Sequence, residues 1–238
     1  MKKLKFTVLL TVSLLAMGLS SCEILQQSVE PRNPDEKNFD IKNFDKLEMG
    51  NAFHVTVKHG SDFKVEAKGE SRDINDLIVR KENGELKIYY SKWRLRRYRM
   101  EIEIEMPTLK EVDFSGASTA TIDGFNNLDE LEVDLSGASR ATLFTKAQVY
   151  KVDLSGASEL SIQGSGQEII ADLSGASVLN AFDAPVKKAT FEISGASTGR
   201  VNVLEKLSVR ASGASKVEYR GNPEVKASTS GSSKVEKD

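Results

Sequence analysis

The 238-residue chain is poor in the residues that build most recognisable sites: one cysteine, one tryptophan and two histidines. A single cysteine excludes an internal disulfide. His54 and His59 lie five positions apart with no cysteine or aspartate at metal-ligand spacing. Neither has the matched serine and aspartate that nucleophilic catalysis needs, so both are read as surface residues. Beyond Phe6–Gly18 no stretch is long and apolar enough to cross a bilayer. A formal net charge of −2 gives no global attraction for nucleic acid. No metal, cofactor, nucleic-acid partner or catalytic set is therefore expected.

What the chain has in abundance is one phrase. Ser-Gly-Ala-Ser begins at Ser115, Ser136, Ser155, Ser174, Ser194 and Ser212, and Ser230-Gly231-Ser232-Ser233 is a degenerate seventh copy. Successive copies start 21, 19, 19, 20, 18 and 18 residues apart, the mark of a repeat architecture. The repetition argues against a hydrolase, because a nucleophile needs one specific base and not seven equivalent settings.

Around each copy, residues alternate apolar and polar. In the third copy the apolar-or-small set is Val152, Leu154, Gly156, Ser158, Leu160 and Ile162, a period of two that predicts β-strand. The Gly and second Ser of each copy fall on that face. Two readings stand: the strand bends there with the second serine turned inward in a stack of hydroxyls, or the phrase is a plain surface turn of small residues. Turn-rich stretches separate the copies, among them Asp123-Gly124, Gln163–Gly166, Asp183-Ala184-Pro185 and Arg220–Pro223. One repeat cannot bury its apolar face alone, and stacking on its neighbours does so. The predicted fold is all-β: a right-handed parallel β-helix (β-solenoid) of about seven coils over residues 112–238.

Before the repeats, residues 1–21 read as a secretion signal, basic at Lys2, Lys3 and Lys5 and apolar from Phe6. Leu19-Ser20-Ser21-Cys22 resembles the lipobox of bacterial lipoproteins. That resemblance implies cleavage before Cys22 and lipidation of Cys22, with the membrane as a partner. An ordinary signal peptide or a signal anchor is the alternative. Residues 22–38 are polar and read as a flexible tether. Residues 39–111 are β-rich but less regular, and are expected to cover the open edge of the solenoid. Within them, Val55–Val57 and Phe63–Ala67 flank Lys58–Ser61 as in a hairpin, and Ser71–Val79 suggests a helical turn.

Phe44-Asp45-Lys46-Leu47 with Gly50 and Val55–Val57, Gly84–Ile88, the Met106-Pro107-Thr108-Leu109 step and the Ser-Gly-Ala-Ser repeats together resemble the head GIN domain family of auto-transporter adhesins. The resemblance covers about residues 39–235. It implies a β-helical protein facing the periplasm or the cell surface, and supplies no catalytic residues.

Two surfaces are candidate sites. Asp113, Asp134, Asp153, Asp172 and Glu192 each precede a copy by two residues, and stacking would align them as an acidic column. Like charges about 5 Å apart need an offset, from interleaved cations, a divalent ion or a basic partner, or else form a solvated face. The second is the basic aromatic stretch Trp93, Arg94, Arg96, Arg97, Tyr98 and Arg99, read as a contact for phosphate, anionic sugar or lipid headgroups. The plain alternative is a hairpin tip whose arginines pair with Glu101, Glu103 and Glu105. The function expected is a lipid-anchored, non-enzymatic cell-envelope protein at the outer membrane, presenting a rigid solenoid for adhesion or interaction with an envelope protein or glycan. The competing reading is an acidic-polysaccharide binding module or lyase of the β-helix type.

Overall fold

The structure, a computed structural model, describes residues 30–238. The leader and the proposed lipidation site Cys22 lie outside the described residues. In chain order the elements are β1 (Pro34–Asn38), β2 (Lys46–Met49), β3 (His54–His59), β4 (Lys64–Glu70), α1 (Ser71–Ile74), β5 (Leu77–Glu82), β6 (Glu85–Tyr90), β7 (Glu101–Met106), β8 (Glu111–Phe114) and β9 (Thr119–Asp123). There follow β10 (Leu128–Leu135), β11 (Arg140–Leu154), β12 (Glu159–Ser165), β13 (Glu168–Leu173), β14 (Val178–Ile193), β15 (Thr198–Ala211), β16 (Lys216–Arg220), β17 (Glu224–Thr229) and β18 (Lys234–Lys237).

Two parallel ladders run along the molecule. One collects the strands that enter each Ser-Gly-Ala-Ser phrase, in the order β6, β2, β8, β10, the end of β11, β13, the end of β14, the end of β15 and β17. The other collects the strands that leave it: β7, β3, β9, the start of β11, β12, the starts of β14 and β15, β16 and β18. The fold is thus the expected parallel β-solenoid. Period-two alternation places Val133, Leu135, Val152, Leu154, Ile169, Leu173, Phe191 and Leu207 inside, in one continuous core between the ladders.

The phrase itself forms a corner. Each of its glycines, from Gly116 to Gly231, has φ between 69° and 75°, the left-handed region that glycine enters without penalty. The Ala N–H of each corner donates to the Gly carbonyl one coil back, as Ala138 to Gly116, Ala157 to Gly137, Ala176 to Gly156, Ala196 to Gly175 and Ala214 to Gly195, each at 2.7 Å. The same approach leaves no space: a Cβ on Gly156 would sit 2.5 Å from the Gly137 carbonyl oxygen.

Each reading of the phrase captures half of this corner. The second serine is buried, as expected of an inward stack: Ser118, Ser139, Ser158, Ser177, Ser197 and Ser215 are at most 1% exposed. Its hydroxyl finds backbone rather than its neighbours. Ser158 Oγ donates to the Ser155 carbonyl at 3.0 Å and lies 3.2 Å from the Leu135 carbonyl one coil back. Only Ser177 and Ser197 pair hydroxyl to hydroxyl, at 3.3 Å, among the described residues. The glycine corrects the sequence reading: Gly and Ala lie on the exposed outside of the corner. The alternation breaks there because a positive φ turns the chain, and the room is limited by the backbone of the next coil, not by the core.

The N-terminal part is coil and cap combined. β2–β3 and β6–β7 are two further coils, with β2–β3 stacked between β6–β7 and β8–β9. Gly50-Asn51-Ala52-Phe53 makes the β2–β3 corner, and buried Phe53 stands where later coils place serine. β5 then pairs antiparallel with β6, β4 with β7 and β1 with β4, closing that end. The hairpin expected of β3 and β4 does not form, because both edges of β3 are taken by the parallel partners β7 and β9. Residues 34–38, assigned to the tether from sequence, form β1. The helical turn is real but short, at Ser71–Ile74, and Leu77 onward is strand. With about 4.8 Å per coil, the whole stack measures on the order of 40 Å.

Replacing Gly156 with Ala forces a Cβ against a neighbouring carbonyl at a left-handed dihedral. We expect a loss of about 2 kcal/mol or more in urea unfolding. Ala157→Ser, at an exposed corner position that reads Ser232 in the last copy, should change stability by less than about 0.5 kcal/mol.

Candidate functional site

The basic aromatic stretch is the corner of the terminal coil. Where other coils turn through four residues, residues 91–100 carry the chain from β6 to β7 as a finger. Asp76 holds its base: Arg94 Nε lies 2.8 Å from Oδ2, and Arg96 Nη2 donates to the same oxygen at 3.0 Å. The Arg96 guanidinium also stacks 3.5 Å from the centroid of the Tyr90 ring and lies 3.6 Å from the buried Asp73 carboxylate. Two buried carboxylates on and just after α1 thus fix two arginines that the sequence offered to a ligand. The pairing expected with Glu101, Glu103 and Glu105 occurs only at Arg99–Glu101, 3.0 Å. Glu103 pairs with Lys68 instead, at 3.1 Å. β6 and β7 belong to different ladders, so the finger is not a hairpin tip and its arginines do not face β7 carboxylates as a set.

With Arg94 and Arg96 turned back, the alternate positions point away from the protein. Trp93 is 98% exposed and Leu95 is 71% exposed. Arg97 is exposed and has no carboxylate within 4 Å among the described residues. Tyr98 and Arg99 are half-buried. The finger therefore presents an indole, an isobutyl group and a free guanidinium.

The acidic column forms as the register predicts. Asp113, Asp134, Asp153 and Asp172 face one another across successive parallel pairs, and Glu192 follows. The same line continues through Glu48 to Lys87 at one end and through Arg210 at the other. Lys87 bonds Glu48, and Arg210 bonds Glu192 at 2.5 Å, so cations close both ends of the column. Its middle has none: among the described residues no Lys or Arg nitrogen lies within 4 Å of Asp113, Asp134, Asp153 or Asp172. Partial burial and then the neighbouring carboxylates, Glu132 first, push the Asp134 carboxyl up to about 6. Burial, then nearby carboxylates, also raises Asp113 and Asp172. Among the described residues no cluster of three or more Asp, Glu, His or Cys is arranged to hold a metal ion.

The histidines divide. His59 is exposed, edge-on to Phe125 at 5.5 Å. His54, expected at the surface, is half-buried under the finger's return, with Nδ1 buried and without a hydrogen-bond partner. Burial, then the charge of Arg99, lowers its pKa and keeps it neutral near pH 7.

The column generates a pH dependence of known sign. Asp134 takes up its proton near pH 6 in the folded chain but only near its ordinary 3.8 when unfolded. Asp134 should therefore contribute stability that grows as pH falls from about 7 to about 4, against the opposite contribution of His54, whose lowered pKa costs stability as the pH falls. Because the group is partly solvated, Asp134→Asn should add only on the order of 1 kcal/mol at neutral pH and flatten that rise, measured by urea unfolding across the range.

The family described as putative auto-transporter adhesin, head GIN domain, matches residues 43–223. Among solved structures, a putative adhesin from Bacteroides fragilis superposes with a TM-score of 0.80 at 17% identity, covering 88% of this chain and 100% of its own. A putative adhesin from Parabacteroides distasonis gives 0.73 at 13%, covering 88% and 99%. A putative lipid binding protein from the same species gives 0.70 at 19%, covering 89% and 100%. At these identities the likeness is one of fold. No curated protein matches the chain. With most of its length matched by that family, the chain belongs to the head GIN domain family of putative auto-transporter adhesins.

Proposed function

We propose that this is a lipid-anchored, non-enzymatic cell-envelope protein, held at the outer membrane through Cys22, that presents its solenoid for adhesion or for interaction with an envelope protein or a glycan. The observation that carries the reading is the in-register stack of Ser-Gly-Ala-Ser corners. Each corner is bonded backbone to backbone to the next, so the coils form a stiff rod with long, flat outer faces. Such faces suit extended partners, and family membership fits display at the envelope. Anchoring through Cys22 rests on the lipobox resemblance. No helix among the described residues is long and apolar enough to cross a membrane.

Recognition or cleavage of an acidic polysaccharide finds less support. Such a site needs cations converging on a uronate, whereas Arg94 and Arg96 are occupied by Asp76, and the Asp113–Glu192 column repels polyanions.

Replacing Cys22 with Ala in cells fed a radiolabelled fatty acid should abolish labelling and move the protein out of the membrane fraction. Unchanged labelling and fractionation would remove the anchor. An epitope placed after Asp238 should be accessible to antibody on intact cells. Access only after the outer membrane is permeabilised would exclude adhesion and leave an internal envelope partner.

A further inference from the structure

The finger at residues 91–100 and the root of the tether occupy one place. Arg32 and Asn33 N–H donate to Glu70 Oε2 at 2.9 and 3.0 Å, and Asn33 Nδ2 donates to Glu70 Oε1 at 3.0 Å. Glu70 ends β4, directly before α1, whose following Asp76 holds the finger. A cleft of about 500 Å³ is lined by both, by Arg32, Asn33, Glu70 and Arg72 together with Leu95, Arg97 and Tyr98 of the finger. The chain from Cys22 thus enters the fold beside the finger. The ten residue-to-residue steps from Cys22 to Arg32 span at most about 35 Å fully extended.

The outward residues of the finger have an interfacial composition. An indole exposed over 98% of its surface has no packing role in the fold, and tryptophan is the side chain most at home at a membrane–water boundary. Leu95 beside it supplies apolar area, and Lys92 and Arg97 flank the pair with positive charge. Lys92 is held only loosely, 3.8 Å from Asp76, and remains exposed. Arg94 and Arg96, fixed to Asp76, act as struts that aim the tip and are not themselves free to bind.

We propose that the tip formed by Lys92, Trp93, Leu95 and Arg97 docks on an anionic bilayer surface, the one that holds the lipidated Cys22, and sets the rod's angle to it. This rests on the anchor reading for the identity of the membrane, though not for the tip's affinity. Two cations and one apolar pair bind weakly alone. A short tether converts that weak contact into an intramolecular one at high effective concentration.

The chain carries its own reporter, because Trp93 is the only tryptophan. The protein from Glu23 onward, which keeps every described residue, is titrated with vesicles of phosphatidylcholine alone and with vesicles containing phosphatidylglycerol. The expected result is a blue shift of Trp93 emission, quenching by brominated acyl chains, and at least fivefold more flotation on the anionic vesicles. The double variant Trp93→Ser, Leu95→Ser should lose at least fivefold in flotation. Arg97→Ser should lose about threefold and flatten the salt dependence. All should melt with the parent, since these side chains are exposed. Emission and flotation indistinguishable between buffer, neutral and anionic vesicles would overturn the proposal. So would a shift produced by a soluble polyuronate but not by vesicles, which would make the finger a glycan contact. If Cys22 proves unmodified while the shift on anionic vesicles persists, the anchor falls and the docking surface stands.

Discussion

The rod depends on one backbone contact repeated down its edge: the glycine carbonyl of one corner accepting the N–H of the next corner's third residue, at 2.7 Å. That contact requires two strands' worth of chain to turn without a side chain in the gap, and only glycine satisfies both the dihedral and the space. Once the corners are stacked, each ladder's register is set on both sides of the turn. The buried serine then donates its hydroxyl to the carbonyl of its own turn's first serine, and the Leu135 carbonyl one coil back, which already accepts the Ser155 N–H, lies within reach of the same hydroxyl. Phe53 shows what happens where that device is absent: an aromatic fills the same place and packs against Tyr90 at 5.1 Å.

Fixed register has an electrostatic cost. Aligning the corners aligns every residue two positions before them, so the carboxylates of Asp113, Asp134, Asp153 and Asp172 stand over one another whether or not that arrangement is favourable. Asp134 carries that cost on top of its partial burial: burial first, then Glu132, then Asp113 and Asp153 above and below it raise its carboxyl. Cations are found at the ends of the column, where Lys87 and Arg210 reach Glu48 and Glu192. Packing thus sets the register and charge adapts to it, as expected when the buried area outweighs partly screened surface repulsion.

Much of this was legible in the chain. The strand faces follow from period-two alternation, and the stacking follows from a phrase recurring every 18–21 residues; both signals are local. The inward serine and the aligned carboxylates follow from the same register. Three features were not legible. The outward glycine requires knowing that the alternation resets at a positive φ. The loss of the β3–β4 hairpin follows from two parallel partners more than forty residues downstream. The attachment of Arg94 and Arg96 to Asp76 depends on where α1 lands, and nearby Glu101, Glu103 and Glu105 offered an equally plausible match by sequence distance. The finger was visible as composition, while its division into anchored and free cations belongs to the tertiary structure.

The out-of-order stacking of β2–β3 has a consequence for assembly. Successive repeat coils find their neighbours about twenty positions away, but Lys46 meets Glu111 at a separation of 65. As the chain is made from its N-terminus, β2 and β3 emerge before their partners and keep both edges bare until β6–β7 and β8–β9 have followed. Closure of that segment spans the longest sequence separation of any strand pairing in the fold, so on loop-closure grounds it is expected to be slower than adding a coil about twenty residues away. Lys58 and His59, exposed at the end of β3, are polar residues of the kind that discourages pairing with a foreign strand.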